Sequence, residues 1–309
     1  MTETSSRPSL SEQLSSLAYR AGWAVVRRIP EPLAARLFDT IADLASGHGK
    51  GPEQLRANLG RVVGDANVTR DLVRDAMRSY MRYWNEAFRL PSIAGPDLAR
   101  TLDAGFVPAE VERLSAAIDR GKGVILTLPH SGNWDMAGVW LVNTFGQFTT
   151  VAERLKPESL FEAFVEFRES LGFEVLPLSG GEQPPFDRLR EVLASGGIVC
   201  LMGERDLSGK GVEVDFFGER TSMPAGSCRL AKDTGAAVMT VHSYFTGDGW
   251  GFVIDEEIDS SLPLDDMVQV QADHFERNIA DHPADWHLLQ PLWFSDLSEK
   301  RRRRLGLED

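Results

Sequence analysis

GVILTLPHSGNWDMAGVW, residues Gly123 to Trp140, sets the fold class, because a covered strand runs straight into a small polar turn and then a helix. Val124 to Leu128 has the length and β-branched content of a strand buried on both faces, Pro129 ends it, and Trp134 onward reads as helical. His130 and Asp135 therefore flank a strand-to-helix turn. In an open α/β sheet that edge, at the carboxyl ends of the strands, is where ligands bind. A second apolar run, GIVCLMG from Gly197 to Gly203, delivers Glu204, Arg205 and Asp206 at its own end. Strands alternate with helices to about Val253, and a last helical segment spans Asp265 to Ile279. The expected fold is α/β, with a mostly parallel central sheet covered by helices on both faces. Residues 1–309 read as one domain: a helical N-terminal region over 1–90, broken at Pro30, Pro32 and Gly47 to Gly51, precedes an α/β core over 91–309.

Two residues five apart on one α-helix point about 140° away from each other. His130 and Asp135 converge only if the histidine precedes the helix and the aspartate lies in its first turn, which Ser131-Gly132-Asn133 permits. Taken alone, Asp135 fits equally well as a carboxylate that complements a helix N-terminus. If the two strands are neighbours, Glu204 reaches the His130 imidazole, fixes its tautomer and stabilises the imidazolium. The plain alternative is a solvated charge cluster of Glu204, Arg205 and Asp206 in a loop.

No Gly-x-Ser-x-Gly elbow occurs, and Ser131 follows the histidine too closely to serve as its proton donor. Cys200 lies inside an apolar strand, where burial makes a thiol inert, and Cys228 has only Arg229 as a neighbouring cation. A covalent enzyme intermediate is disfavoured. His130 is left as general base toward an external hydroxyl or water.

HSGNWD, AERLKPESL with the downstream Arg168, GERD, VDFFGERTSMPAG and the closing ADWHLLQPLWF, in that order, resemble the blocks of a bacterial acyltransferase family. The family includes the late acyltransferases of lipid A biosynthesis and the phosphatidylinositol mannoside acyltransferases of actinobacteria, and the AERLKPESL and GERD wording is more similar to the latter. The resemblance implies transfer of a long-chain acyl group, palmitoyl in the mannoside branch, from acyl-CoA or a carrier-protein thioester to a sugar hydroxyl. It implies His130 as base, with Asp135 supporting it or holding the turn and Glu204 as the acid paired with the ring. An acceptor built on phosphatidylinositol brings a phosphate, for which Arg154, Lys156, Arg168 and Arg205 in these blocks are candidates, because a planar guanidinium meets phosphate bidentately. The competing role of those cations is ion pairing with Glu153, Glu158 and Glu169. Trp134, Met136 and Trp140 fit either an acyl-chain groove or ordinary core.

The 309 residues are 42% hydrophobic and 26% charged, and two cysteines give no disulfide framework. No apolar run reaches the roughly 18 residues that cross a bilayer, and MTETSSRPSLSEQ is unlike a secretory signal. The net charge of −13 argues against nucleic acid as a partner. The charge is uneven: up to Leu90 there are 13 Lys/Arg against 10 Asp/Glu, so the deficit lies later. From Leu10 to Ile29 apolar residues recur at helical spacing beside Trp23, Arg20, Arg27 and Arg28, and KRRRR closes the chain at Lys300 to Arg304. Both fit contact with an anionic membrane surface, so the expected location is peripheral, on the cytoplasmic face of the cell membrane. No resident cofactor is expected, since no glycine-rich phosphate fingerprint follows a strand. A metal hydrolase built on His130, Asp135, Glu204 and Asp206 lacks a close histidine pair, and His242, His274, His282 and His287 follow no ligand spacing. A non-catalytic lipid-binding protein would keep the N-terminal helix and basic tail with His130 as a structural residue.

Overall fold

The computed structural model describes residues 25–154, 158–181 and 183–304. Helices α1 (Glu31–Ala45), α2 (Glu53–Val63) and α3 (Arg70–Ile93) come first, and Pro30 and the Gly47–Gly51 turn bound α1 as the sequence suggests. Pro32 does not break a helix. It sits in the opening turn of α1, where the missing N–H is no loss. The helical region also runs past residue 90: α3 carries Pro91 in its last turn, and α4 (Pro96–Asp103) and α5 (Pro108–Asp119) follow before any strand.

The core then alternates as expected. β1 (Val124–Leu128), α6 (Trp134–Phe145), β2 (Phe148–Ala152), α7 (Glu158–Glu169), β3 (Glu174–Pro177), α8 (Pro185–Ala194) and β4 (Ile198–Met202) are followed by a hairpin of β5 (Val212–Phe216) and β6 (Glu219–Met223). After it come α9 (Gly226–Thr234), β7 (Ala237–Thr246), β8 (Gly249–Glu257), α10 (Leu264–Asp281) and the short basic helix α11 (Glu299–Arg304). The main sheet has the order β3-β2-β4-β1-β7-β8, and only β8 is antiparallel to its neighbour.

All five residues of β1 are buried. Val124, Leu126 and Leu128 pack into one core with α4 to α7, while Ile125 joins the opposite core built on α8, α9 and α10. That two-sided cover explains the continuous apolar run in the sequence. β1 pairs in parallel with β4, with Leu128 opposite Met202. The chain leaving β1 crosses to β2 on one side, whereas the chain leaving β4 returns as β7 on the other, so a crevice opens at the carboxyl ends of β1 and β4.

Candidate active site

His130 and Glu204 stand at that crevice, each two residues past the end of its strand. The Glu204 carboxylate is fully buried, lies 2.6 Å from His130 Nδ1, and accepts the His130 backbone N–H at 3.0 and 3.1 Å. Gly203 permits this approach: its N–H donates to Leu128 O, and a Cβ there would meet Thr127 Oγ1 at 2.2 Å. With Nδ1–H donating to the carboxylate, Nε2 keeps its lone pair, and the ring is 30% exposed toward an open groove. Such an imidazole can take a proton from a bound hydroxyl and hold the resulting charge against Glu204.

Asp135 lies elsewhere. Asn133, not Asp135, caps α6 by accepting the Met136 N–H. The Asp135 carboxylate faces the other way, accepting Arg168 Nε at 3.0 Å and the Tyr83 hydroxyl at 3.0 Å. Burial works against the Arg168 charge, yet the adjacent carboxylate holds it firmly protonated; burial and the same carboxylate push the Tyr83 phenol well up. Of the two roles left open for Asp135, the geometry matches holding the turn. Arg168, expected on a phosphate, has its guanidinium engaged by Asp135 because α7 packs across the start of α6. Arg154 is tied to Glu158 one helical turn on, and bonds the Ser179 and Gly180 carbonyls. Arg205 lines the groove beside His130. Lys156 lies outside the described residues.

Trp134 borders an apolar cavity that is also lined by Phe106, Trp140, Leu141, Phe148 and Phe173. Trp134 also stacks on Tyr83 at 4.0 Å and meets the His130 ring edge-on. Met136 is plain core, while Trp140 is buried and lines the cavity. Cys200 lines it too, and desolvation pushes its thiol far up; burial pushes Cys228 up to about 11. Neither is an activated nucleophile at neutral pH.

Sequence reading missed the contacts that brace the turn from α3 and from the segment Asp285–His287. One face of α3 carries Ser79, Tyr83 and Glu86 at i, i+4 and i+7, and Glu86 accepts from Asn133 Nδ2. Polar residues at that spacing in an otherwise amphipathic helix were the available signal. The segment Asp285–His287 pairs with the turn itself: His287 N donates to His130 O, Gly132 N donates to Asp285 O, and Ser131 bridges Trp286. Asp285 is fixed by the Ser79 hydroxyl at 2.6 Å and the Phe245 N–H at 2.8 Å, and Ser79 also meets His287 Nε2. Gly132 has φ 51°, and a Cβ there would strike the Ser243 backbone, so only glycine fits.

The interfacial helix expected over Leu10 to Ile29 falls mostly outside the described residues. Among those described, no helix is long and apolar enough to cross a membrane. The closing basic run forms α11, where Arg302 and Arg303 are exposed.

Residues 4–295 match the family described as bacterial lipid A biosynthesis acyltransferase. A phosphatidylinositol mannoside acyltransferase of Mycolicibacterium smegmatis is 55% identical over 305 residues, 98% of this chain and 99% of that protein. One of the same name from Mycobacterium tuberculosis is 54% identical over 302 residues, covering 97% and 95%. A strand-end histidine seated on a buried glutamate, beside an apolar cavity and within a match spanning nearly the whole chain, makes this protein a member of the bacterial lipid A biosynthesis acyltransferase family and an acyltransferase.

Proposed function

We propose that the protein moves a long-chain acyl group, palmitoyl in the first instance, from acyl-CoA to a mannose hydroxyl of a phosphatidylinositol mannoside. The observation that carries this reading is the position of His130: its ring is bound to Glu204 through Nδ1, lines an open groove, and touches Trp134, which lines the apolar cavity. The acceptor follows from the named activity of relatives 54–55% identical over nearly their whole length.

His130 Nε2 takes the proton of the sugar hydroxyl as its oxygen attacks the thioester carbonyl. The carbon–sulfur bond then breaks and the imidazolium returns the proton to the departing thiolate. Glu204 orients the ring and balances its transient charge. The acyl group passes directly between substrates, since both thiols are held up by burial and neither is a competent nucleophile. Acyl-CoA is a substrate, and the reaction as written needs no resident cofactor. Arg205, beside His130 in the groove, is the phosphate ligand of the reading, while Trp134 bounds the acyl cavity.

The site works from the cytoplasmic face of the membrane, with the protein bound peripherally. Leu33, Leu37, Ile41 and Leu44 support contact with a membrane surface, because they form an exposed apolar stripe on α1 beside the buried stripe of Ala34, Phe38 and Ala42.

The deciding experiment is release of CoA from palmitoyl-CoA by the full chain against a screen of acceptors: mannosylated phosphatidylinositol, a lipid A precursor and water. Mannosylated phosphatidylinositol alone supports turnover, and His130→Ala removes it while the protein stays folded by circular dichroism. Preference for the lipid A precursor overturns the acceptor. Near-normal turnover in His130→Ala overturns the base.

A further inference from the structure

The buried face of α10 is apolar apart from two amides. Met267, Val268, Ala272, Phe275 and Ile279 pack into the core that also holds Ile125, Val199 and Val238, while Gln271 and Asn278 interrupt the apolar row. Gln271 is fully buried. A buried amide costs stability unless its groups are bonded, so packing alone would be served better by leucine or methionine at such a position. Asn278 donates to Asp255, the centre of a network with Arg277 and the Thr240 hydroxyl. Gln271 is directed instead to the chain that leaves β4: its Nε2 donates to Gly203 O at 3.0 Å, and its Oε1 accepts the Ser227 hydroxyl at 2.8 Å.

The Gln271 amide cannot be turned round. Gly203 O only accepts, so the nitrogen must face it, which leaves Oε1 toward Ser227 with that hydroxyl as the donor. Ser227 is itself buried, in the first turn of α9. Gly203 is thereby held on both sides, because its N–H donates to Leu128 O at 2.8 Å while its carbonyl accepts from Gln271. The space around it is closed as well: a Cβ at Gly203 would lie 2.2 Å from Thr127 Oγ1 and 3.1 Å from both Gln271 Nε2 and Phe275 Cζ. The next residue is Glu204, whose carboxylate meets His130 Nδ1 at 2.6 Å and the His130 N–H on each oxygen. A carboxylate with so little latitude depends on where its own backbone starts.

We infer that Gln271 is a positioning residue of the acyl-transfer site: clamped by Ser227 and acting through the Gly203 peptide, it fixes the Glu204 carboxylate at hydrogen-bond distance from His130 Nδ1. The two members of the pair are thus braced separately. The segment Asp285–His287 holds the turn that carries His130, and α9 with α10 holds the turn that carries Glu204. The effect on turnover rests on the acyl-transfer reading, whereas the effect on the ring does not.

Gln271→Met keeps the length of the side chain and removes both polar groups. The first measurement is made on the free full chain labelled with 15N-histidine, in alkaline buffer, with the His130 ring nitrogens assigned by their absence from His130→Ala. In the parent Nδ1 carries the proton and Nε2 is bare; in Gln271→Met the two nitrogen shifts move toward each other as the glutamate loses its hold on that tautomer. The second measurement is kinetic: kcat for palmitoyl-CoA with mannosylated phosphatidylinositol falls about tenfold, with KM for both substrates little changed. Gln271→Met also leaves Gly203 O and the Ser227 hydroxyl unpaired, so adding Ser227→Ala removes one of these orphans and raises the urea midpoint without recovering kcat. Ser227→Ala alone frees the amide to rotate and shifts the same nitrogens less, which carries the test where Gln271→Met fails to fold. Ring nitrogens unmoved in these variants, kcat within about twofold of the parent, or a loss that returns with stability in the double variant overturns the inference. Displaced ring nitrogens in a protein that acylates no mannosylated lipid would uphold the positioning role and sink the acceptor reading.

Discussion

Two carboxylates reach the same edge of the sheet, one in the first turn of α6 and one in the loop after β4, and they are used in opposite ways. Asp135, five residues after His130, turns its oxygens away to Arg168 and Tyr83 and ties α6 to α7 and α3. Glu204, 74 residues downstream, closes on the ring from the neighbouring strand. Closeness in sequence and closeness in space are thus decoupled here, because parallel pairing of β1 with β4 brings their ends together whatever the chain between them does. The difference teaches that the short His-to-Asp spacing marks the shape of a turn, while the pairing of the ring is a property of the sheet.

The comparison predicts different failures. Glu204→Gln keeps a hydrogen-bond partner of similar shape but removes the charge facing the imidazolium, so kcat falls about 10²- to 10⁴-fold with KM little changed. Single-turnover rates measure this, and a loss below threefold would break the pairing role. Asp135→Ala strands the buried Arg168 guanidinium, and the cost is stability, about 3–5 kcal/mol, with the surviving folded fraction far more active than Glu204→Gln. Urea unfolding checks it, and Asp135→Ala combined with Arg168→Met recovers part of the loss. An Asp135 variant as stable as the parent but catalytically dead would reverse the assignment.

The smallest effect is pH-dependent. Burial, reinforced by neighbouring histidines, pushes His242 and His287 behind the turn down to about 3. In the unfolded chain these rings titrate near 6.5, so between pH 7 and 5 the unfolded state takes up protons that the folded state refuses. Stability is therefore flat above about pH 7.5 and declines as pH falls through 6.5. Urea midpoints across that range read the slope, which flattens in His287→Asn.

The α/β order, the covered strand and the two strand ends were legible because each is written in a local pattern: an apolar run, a proline stop, a small-residue turn. The partner of Asp135 was not. Arg168 lies among Glu166 and Glu169, which suggests surface pairing, and only the packing of α7 over α6 brings it to Asp135. Tyr83 and Ser79 were hidden for the same reason, in a helix whose apolar spacing says that it packs but not against what. His287 and Asp285 lie in the closing ADWHLLQPLWF block, but nothing in that block's wording says that it pairs with the turn after β1. They meet the turn through backbone pairing, which no side-chain type announces, while their side chains bond Ser79 and the Phe245 N–H.

The bridge from Ser131 to Trp286 has a consequence in time. Synthesis at about 5–20 residues per second places about 155 residues, or on the order of ten to thirty seconds, between the two halves of that bridge. For the second half of that interval, once Glu204 has been added, a nascent chain owns both its histidine and its glutamate but lacks the brace at Trp286 that fixes where the ring sits, so competence waits for that segment.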